Sequence, residues 1–251
     1  MDKCLTLYAQ TNVPDAVLCL NGIFLKKLPL STPVLVPVHE CVANGKNHIQ
    51  LGRLCSGEWL ARQDIWFDVR LELVKLRQGQ WVQPKVLDQF RWAEPAGKLV
   101  RGTSYFEREL QLPLSFPRWQ FLDLSRFEST AHTQPVQDLL VQLALELVQR
   151  KKKEFSARFS HRNHELAMAY GVSPVELAAQ LDAVFEQHAG FALENYLPDL
   201  SELAVFAAKG GTTGFPMRAD GSPFLHLPGL PDSVHVPLQV AVVEGRAVVV
   251  K

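Results

Sequence analysis

Apolar and polar positions alternate in short runs over residues 3–125, whereas residues 135–208 repeat their apolar positions at three- and four-residue steps. The first pattern is that of antiparallel strands with one buried face; the second is that of amphipathic helices. Residues 13–20 and 23–25 are apolar runs flanking Asn21-Gly22. Both turn residues tolerate the positive φ of a type I′ turn, so a hairpin is expected there. Residues 33–38 contain Pro33 and Pro37 and are expected as an edge or irregular strand, because proline cannot donate to a ladder. Asn44-Gly45 supplies another turn before a strand at 46–51. Residues 66–73 alternate with period two, Gln78-Gly79 turns the chain back into 81–87, and 105–112 is a further candidate. Short strands at this spacing predict a sandwich or a small barrel.

The helical half opens at Pro135, a residue suited to a first helical turn. Val136, Leu139, Leu140, Leu143, Leu147 and Val148 then form one apolar face, and Phe155, Phe159 and Leu166 continue it more loosely. Residues 160–163 are a candidate kink or break, and Tyr170-Gly171 closes the stretch. Ser173-Pro174-Val175-Glu176 has the spacing of a capping box with proline at the first helical position, and that helix is expected to reach His188 before Gly190. A third helix is predicted at about 199–209, stopped by Gly210-Gly211. Strands return at 234–243 and 246–250 around Glu244-Gly245; this hairpin either covers the helices or rejoins the first sheet. The stretch between Asp123 and Gln134 is polar and aperiodic and places the boundary. The expected fold class is therefore α+β: an antiparallel β-sandwich over 1–125, then a smaller helical α+β domain over 126–251 ending in a β-hairpin.

Charge changes this picture most within the helical half. Arg150, Lys151, Lys152, Lys153, Arg158 and Arg162 come first, against Glu154 alone. From 163 to 208 there is no lysine or arginine, but there are Glu165, Glu176, Asp182, Glu186, Glu194, Asp199 and Glu202. A field of this sign attracts a basic surface and speeds its association. Over the whole chain the formal net charge is zero, which removes the case for a general nucleic-acid binder. Hydrophobic content of 47% with 21% charged residues fits a folded chain rather than a disordered one. The first residues, MDKCLTLYAQTNVPD, lack the apolar run of a signal peptide, and no stretch approaches the roughly 18 apolar residues of a membrane span. Cys4, Cys19, Cys41 and Cys55 are widely spaced with no CxxC pair, as expected of reduced, semi-buried thiols in a cytoplasmic protein.

Candidate chemistry is sparse. His161 and His164 with Glu165 share a helix face, but H-x-x-H-E is not a zinc-protease spacing, and a solvated helix surface accounts for it. His226 and His235, with Ser222, Asp232 and Ser233 nearby, lack the G-x-S-x-G turn that presents a nucleophile and are read as turn and strand-edge residues. Gly210-Gly211-Thr212-Thr213-Gly214 is followed by Phe-Pro, which blocks the helix a phosphate loop needs. Trp59, Trp66, Trp81, Trp92 and Trp119 could stack sugars, although packing of a sandwich core explains most of them. No catalytic group, metal site or cofactor is predicted, and the chain is expected not to be an enzyme.

The stretch DAVLCLNGIF…TPVLVPVHECVANGKNHIQLG resembles galactose-binding-like jelly rolls, in which "NG" ends one hairpin and "GKN" begins a late strand. That resemblance implies an antiparallel sandwich, and it carries the alternative reading of a carbohydrate-binding module with a helical accessory domain. The layout as a whole resembles cytoplasmic immunity proteins of type VI secretion systems. It implies a non-catalytic protein that neutralises a toxin, of the nuclease kind, by blocking its active cleft. Nuclease clefts are basic, so the acidic stretch is the expected contact, with Glu176, Asp182, Glu186, Glu194 and Asp199 as partner-binding residues. The partner expected on these grounds is a toxin with a basic surface, without nucleic acid or membrane.

Overall fold

The computed structural model describes residues 3–54, 58–77, 80–100, 106–112, 119–228, 234–236 and 238–251. The fold is α+β, and the chain divides into two compact units, Met1–Arg118 and Trp119–Lys251. The division falls just before the polar stretch that marks the boundary in the sequence, and the second unit is the longer.

In the first unit the strands are β1 (Lys3–Thr11), β2 (Ala16–Leu20), β3 (Ile23–Lys27), β4 (Val34–Pro37), β5 (Gly45–Arg53), β6 (Trp59–Leu60), β7 (Ile65–Arg77), β8 (Gln80–Glu94), β9 (Leu99–Val100) and β10 (Phe106–Leu112). They form two four-stranded antiparallel sheets, β4-β1-β7-β8 and β10-β5-β2-β3, with β6 and β9 paired apart. The period-two pattern sets the faces of β7. Ile65, Phe67, Val69 and Leu71 are buried, while Trp66, Asp68 and Arg70 face the other way and are only half-buried. Rings bridge the two sheets: Phe106 of β10 lies 6.4 Å from Phe67 and 5.6 Å from Phe90. The Asn21-Gly22 turn has φ of 52° and 79°, the positive values expected of a type I′ hairpin. The proline-containing strand β4 lies at a sheet edge, where a missing donor does no harm. The expected turn at Gln78-Gly79 lies outside the described residues.

The second unit contains α1 (Ser129–Val148), α2 (Lys152–Arg158), α3 (Ser160–Tyr170) and α4 (Pro174–His188), followed by β11 (Ala204–Ala207), β12 (Gly214–Met217), β13 (Leu225–Leu227), β14 (Val234–Val236), β15 (Val240–Val243) and β16 (Arg246–Val249). One antiparallel sheet runs β11-β12-β15-β16, and β13 pairs with β14. The C-terminal hairpin thus belongs to this unit's own sheet. Its turn, Glu244-Gly245, has φ of 50° and 77°. Val136, Leu139, Leu140, Leu143 and Leu147 of α1 pack into a core with Phe155, Phe159, Phe185, Tyr196, Phe224 and Val249.

Three expectations differ from what is found here. The first helix starts at Ser129, so Pro135 lies inside it rather than opening it. Its polar first turn has no apolar period to reveal it; one tertiary contact and one local cap hold it instead. Ser129 Oγ donates to Val205 O at 3.2 Å, and His132 Nδ1 accepts from Glu128 N at 3.1 Å. The long helix also breaks at Gln149–Lys151, where Arg150 takes φ of 55°, before the further break near Ser160 that the sequence suggested. The predicted helix at about 199–209 is a 3-10 turn over Leu200–Glu202 followed by strand β11. Pairing of Ala204–Ala207 with β12 overrides the helix-like spacing. Within that pairing Gly214 is required: a Cβ there would lie 2.5 Å from the Phe127 ring.

Cys4, Cys19 and Cys41 are buried, and none of them is in a disulfide among the described residues; Cys55 lies outside the described residues. Burial pushes the Cys19 thiol far above its usual range, and burial followed by the nearby Glu40 charge raises Cys4. The thiolate is the reactive form. Iodoacetamide at neutral pH is therefore expected to leave these three unmodified in the folded chain and to label all three in denaturant, as read by peptide mass spectrometry. Native labelling of Cys19 would contradict this burial.

Candidate functional site

The helix α4 begins as its sequence dictates. Ser173 Oγ accepts from Val175 N at 3.2 Å, and Glu176 Oε2 accepts from Ser173 N at 3.4 Å, so Glu176 closes a capping box. The other residues expected to meet a partner also have positions in the fold. Asp182 accepts from Ser156 Oγ at 2.7 Å, and Glu186 pairs with Lys152 Nζ at 2.8 Å. The hydrogen bond and charge of Glu186 raise the Lys152 amine above its usual range. Asp199 caps the 3-10 turn by accepting from Ser201 N at 2.8 Å, and that amide, then the Ser201 hydroxyl, hold its carboxyl below the usual value. Glu202, in turn, pairs with Arg218 at 2.9 Å. Glu194 is exposed in a short 3-10 turn and has no hydrogen bond or ion pair among the described residues.

The segregation of charge along the sequence is therefore partly undone in space. The basic helix α2 lies against the acidic helix α4, so Lys152 and Ser156 engage Glu186 and Asp182. An exposed ion pair contributes little stability, but it takes charge off the face. Farther along α2, Arg158 donates through Nε and Nη2 to Glu146 Oε1 at 3.1 and 2.9 Å, joining α2 to α1.

The histidine candidates are dispersed. His161 and His164 are exposed on α3, whereas Glu165 between α3 and the core is 4% exposed. Among the described residues no group of three or more histidine, cysteine or carboxylate side chains is placed to hold a metal. His226 and His235 are register partners on β13 and β14. Asp232 and Ser233 lie outside the described residues. In the 210–214 segment, Thr212 Oγ1 donates to Phe121 O at 2.7 Å and Thr213 is buried, so that segment is anchored into the second unit. Of the tryptophans, Trp119 is fully buried, Trp59, Trp66 and Trp92 are half-buried, and Trp81 is described only in its backbone.

Two concave sites stand out, and neither was expected from the sequence. In the second unit a cleft of about 390 Å3 runs between α4 and β13. One wall is the α4 stripe Leu177, Leu181 and Val184; the floor includes Phe155, Phe159 and Leu225. Among the described residues its charged lining side chains are the cations Arg162 and Lys251. The α4 stripe was visible as a four- and three-residue repeat, but burial is incomplete, with Val184 38% exposed. Sequence period alone does not distinguish a covered stripe from an open one. The first unit holds a smaller cavity of about 260 Å3 at the ends of β5, β8 and β10.

Among the described residues no helix is long and apolar enough to cross a membrane. No protein-family model and no curated protein matches this chain, so no residue role comes to it from a relative.

Proposed function

We propose that this chain acts by binding, without chemistry of its own, and that its main contact is the cleft between α4 and β13. The occupant we propose is an apolar segment of a partner protein flanked by acidic residues. The observation carrying this is the composition of the cleft: a largely apolar lining, with Gln180 in it and Arg162 and Lys251 as its charged side chains among the described residues. Its volume of about 390 Å3 falls within the range of pockets that hold ligands, and pockets of this kind seat the anchoring side chains of a partner. An amphipathic helix laid into a groove presents such anchors at three- and four-residue spacing. The pairing of Asp182 and Glu186 within the chain favours the cleft over the acidic face as the contact.

The toxin-neutralising role implied by the layout is a specific form of this reading. In that form the partner is a toxin, the setting is the cytoplasm, and inhibition follows from covering the toxin's active cleft. A photo-crosslinking residue placed separately at Gln180, in the cleft, and at Glu194, on the acidic face, tests the location in cells that make the protein. A single stoichiometric adduct from position 180 is expected, with none from 194. An adduct from 194 alone would return the contact to the acidic face and overturn the cleft as the site.

A further inference from the structure

We propose that the cavity at the ends of β5, β8 and β10 binds a small aromatic carboxylate, with Arg53 receiving the anion. Arg53 is only 6% exposed. Its Nε donates to Pro14 O at 3.3 Å, and its guanidinium carbon lies 5.2 Å from the centre of the Trp59 ring. Its Nη1 is buried and has no hydrogen-bond partner among the described residues. A guanidinium withdrawn from water with an unused donor is costly, and the ring face of Trp59 offsets only part of that cost. An anion supplied from outside removes the deficit.

The surrounding side chains point to the same ligand class. Arg53 lines the cavity together with Glu94 and Lys98, and these two pair with each other at 2.9 Å. Their charges cancel, leaving the positive charge of Arg53. Part of the lining is aromatic: Trp92 and Phe106 lie 5.4 Å apart with their planes inclined at 33°, and both are half-buried. Val13 and Ile65 add aliphatic surface. A flat ring against Trp92 and Phe106, with a carboxylate toward Arg53, satisfies both the apolar wall and the charge. Arginine suits this role because its planar donor set matches a carboxylate. At about 260 Å3 the cavity is suited to a single-ring molecule rather than to a peptide.

Calorimetric titration of the full chain with phenylacetate, phenylacetamide, acetate and methyl glucoside tests the site. Saturable one-to-one binding of phenylacetate is expected, with phenylacetamide weaker by about tenfold or more, the difference between a charged and a neutral partner for a buried donor. Acetate and the glucoside are expected not to saturate. In Arg53→Met the preference for the acid over the amide should disappear. Nitrogen-15 NMR of the unmodified chain gives a readout that does not depend on that variant folding. Phenylacetate should shift the Arg53 Nε–H and Trp92 indole resonances together. Equal affinity for acid and amide, saturation by acetate or glucoside, or no saturable binding of phenylacetate would each overturn the proposal.

Discussion

Replacing Asn47 with alanine is expected to destabilise the first unit by about 3 kcal/mol, read as a lower urea midpoint at unchanged slope. Asn47 is fully buried, and its amide uses its whole hydrogen-bonding capacity. Its Nδ2 donates to Ala43 O at 3.0 Å and to Gly45 O at 3.1 Å. Its Oδ1 accepts from Ala43 N and from Asn21 Nδ2, both at 2.7 Å. Asn21 in turn donates to Cys41 O at 2.8 Å and accepts from His48 N at 2.9 Å. The two amides clip the β2–β3 turn to the start of β5. Alanine removes four hydrogen bonds at once and leaves backbone groups of residues 43 and 45 without partners, which costs more than the bonds' small net worth in water. Asn47→Asp, which keeps the shape but loses both donors and adds a charge, should be at least as damaging. A loss below about 1 kcal/mol for Asn47→Ala would show that the amide network does not hold this turn.

Arg158→Met is expected to destabilise the second unit by about 2 kcal/mol. The pair it breaks spans the interruption between α1 and α2, and Glu146 has a side chain only 10% exposed. Losing one partner of a buried pair typically costs more than this, because the remaining charge stays out of water. The figure is reduced because the Arg158 side chain is 39% exposed and water screens the pair. Adding Glu146→Gln should restore most of the loss, since the stranded charge goes with it. The pair also supports the cleft, because α2 contributes Phe155 to it and the residue that follows α2, Phe159, lines it too. A double variant no more stable than Arg158→Met alone would contradict this electrostatic explanation.

Local chemistry was legible wherever the backbone and its nearest neighbours decide the structure. Asn21-Gly22 and Glu244-Gly245 take positive φ, Pro37 ends the edge strand β4, and Ser173 with Glu176 closes the predicted capping box. Period two sorted the faces of β7 as far as Leu71; past the register shift there, Glu72 is buried and Leu73 half-buried. Legibility ended where a distant partner decides. Residues 204–207 carry a spacing that suits a helix, and only the strand at 214–217 makes them β11. The first turn of α1 has no apolar signal of its own and leans on Val205, 76 residues away.

The same limit applies to the sites. The acidic stretch is real in sequence, but its field depends on cations that lie 34 residues away along the chain, as Lys152 does from Glu186. Arg53 sits in GRLC with nothing nearby to mark it. Its interest comes from burial and from aromatic rings contributed by β8 and β10. The NG…GKN pattern carried more than turn chemistry, since Asn21 and Asn47 turn out to be bonded to each other.

Calorimetry with a partner protein recovered in stoichiometric amount from the native cell tests the proposed contact at the cleft most directly. Val184→Glu places a carboxylate on an exposed residue of the apolar wall, whereas Glu194→Lys reverses a charge on the acidic face. Val184→Glu is predicted to weaken the dissociation constant by at least about tenfold, while Glu194→Lys leaves it unchanged. Unchanged affinity in Val184→Glu, with a loss in Glu194→Lys, would contradict the cleft as the place where the partner binds.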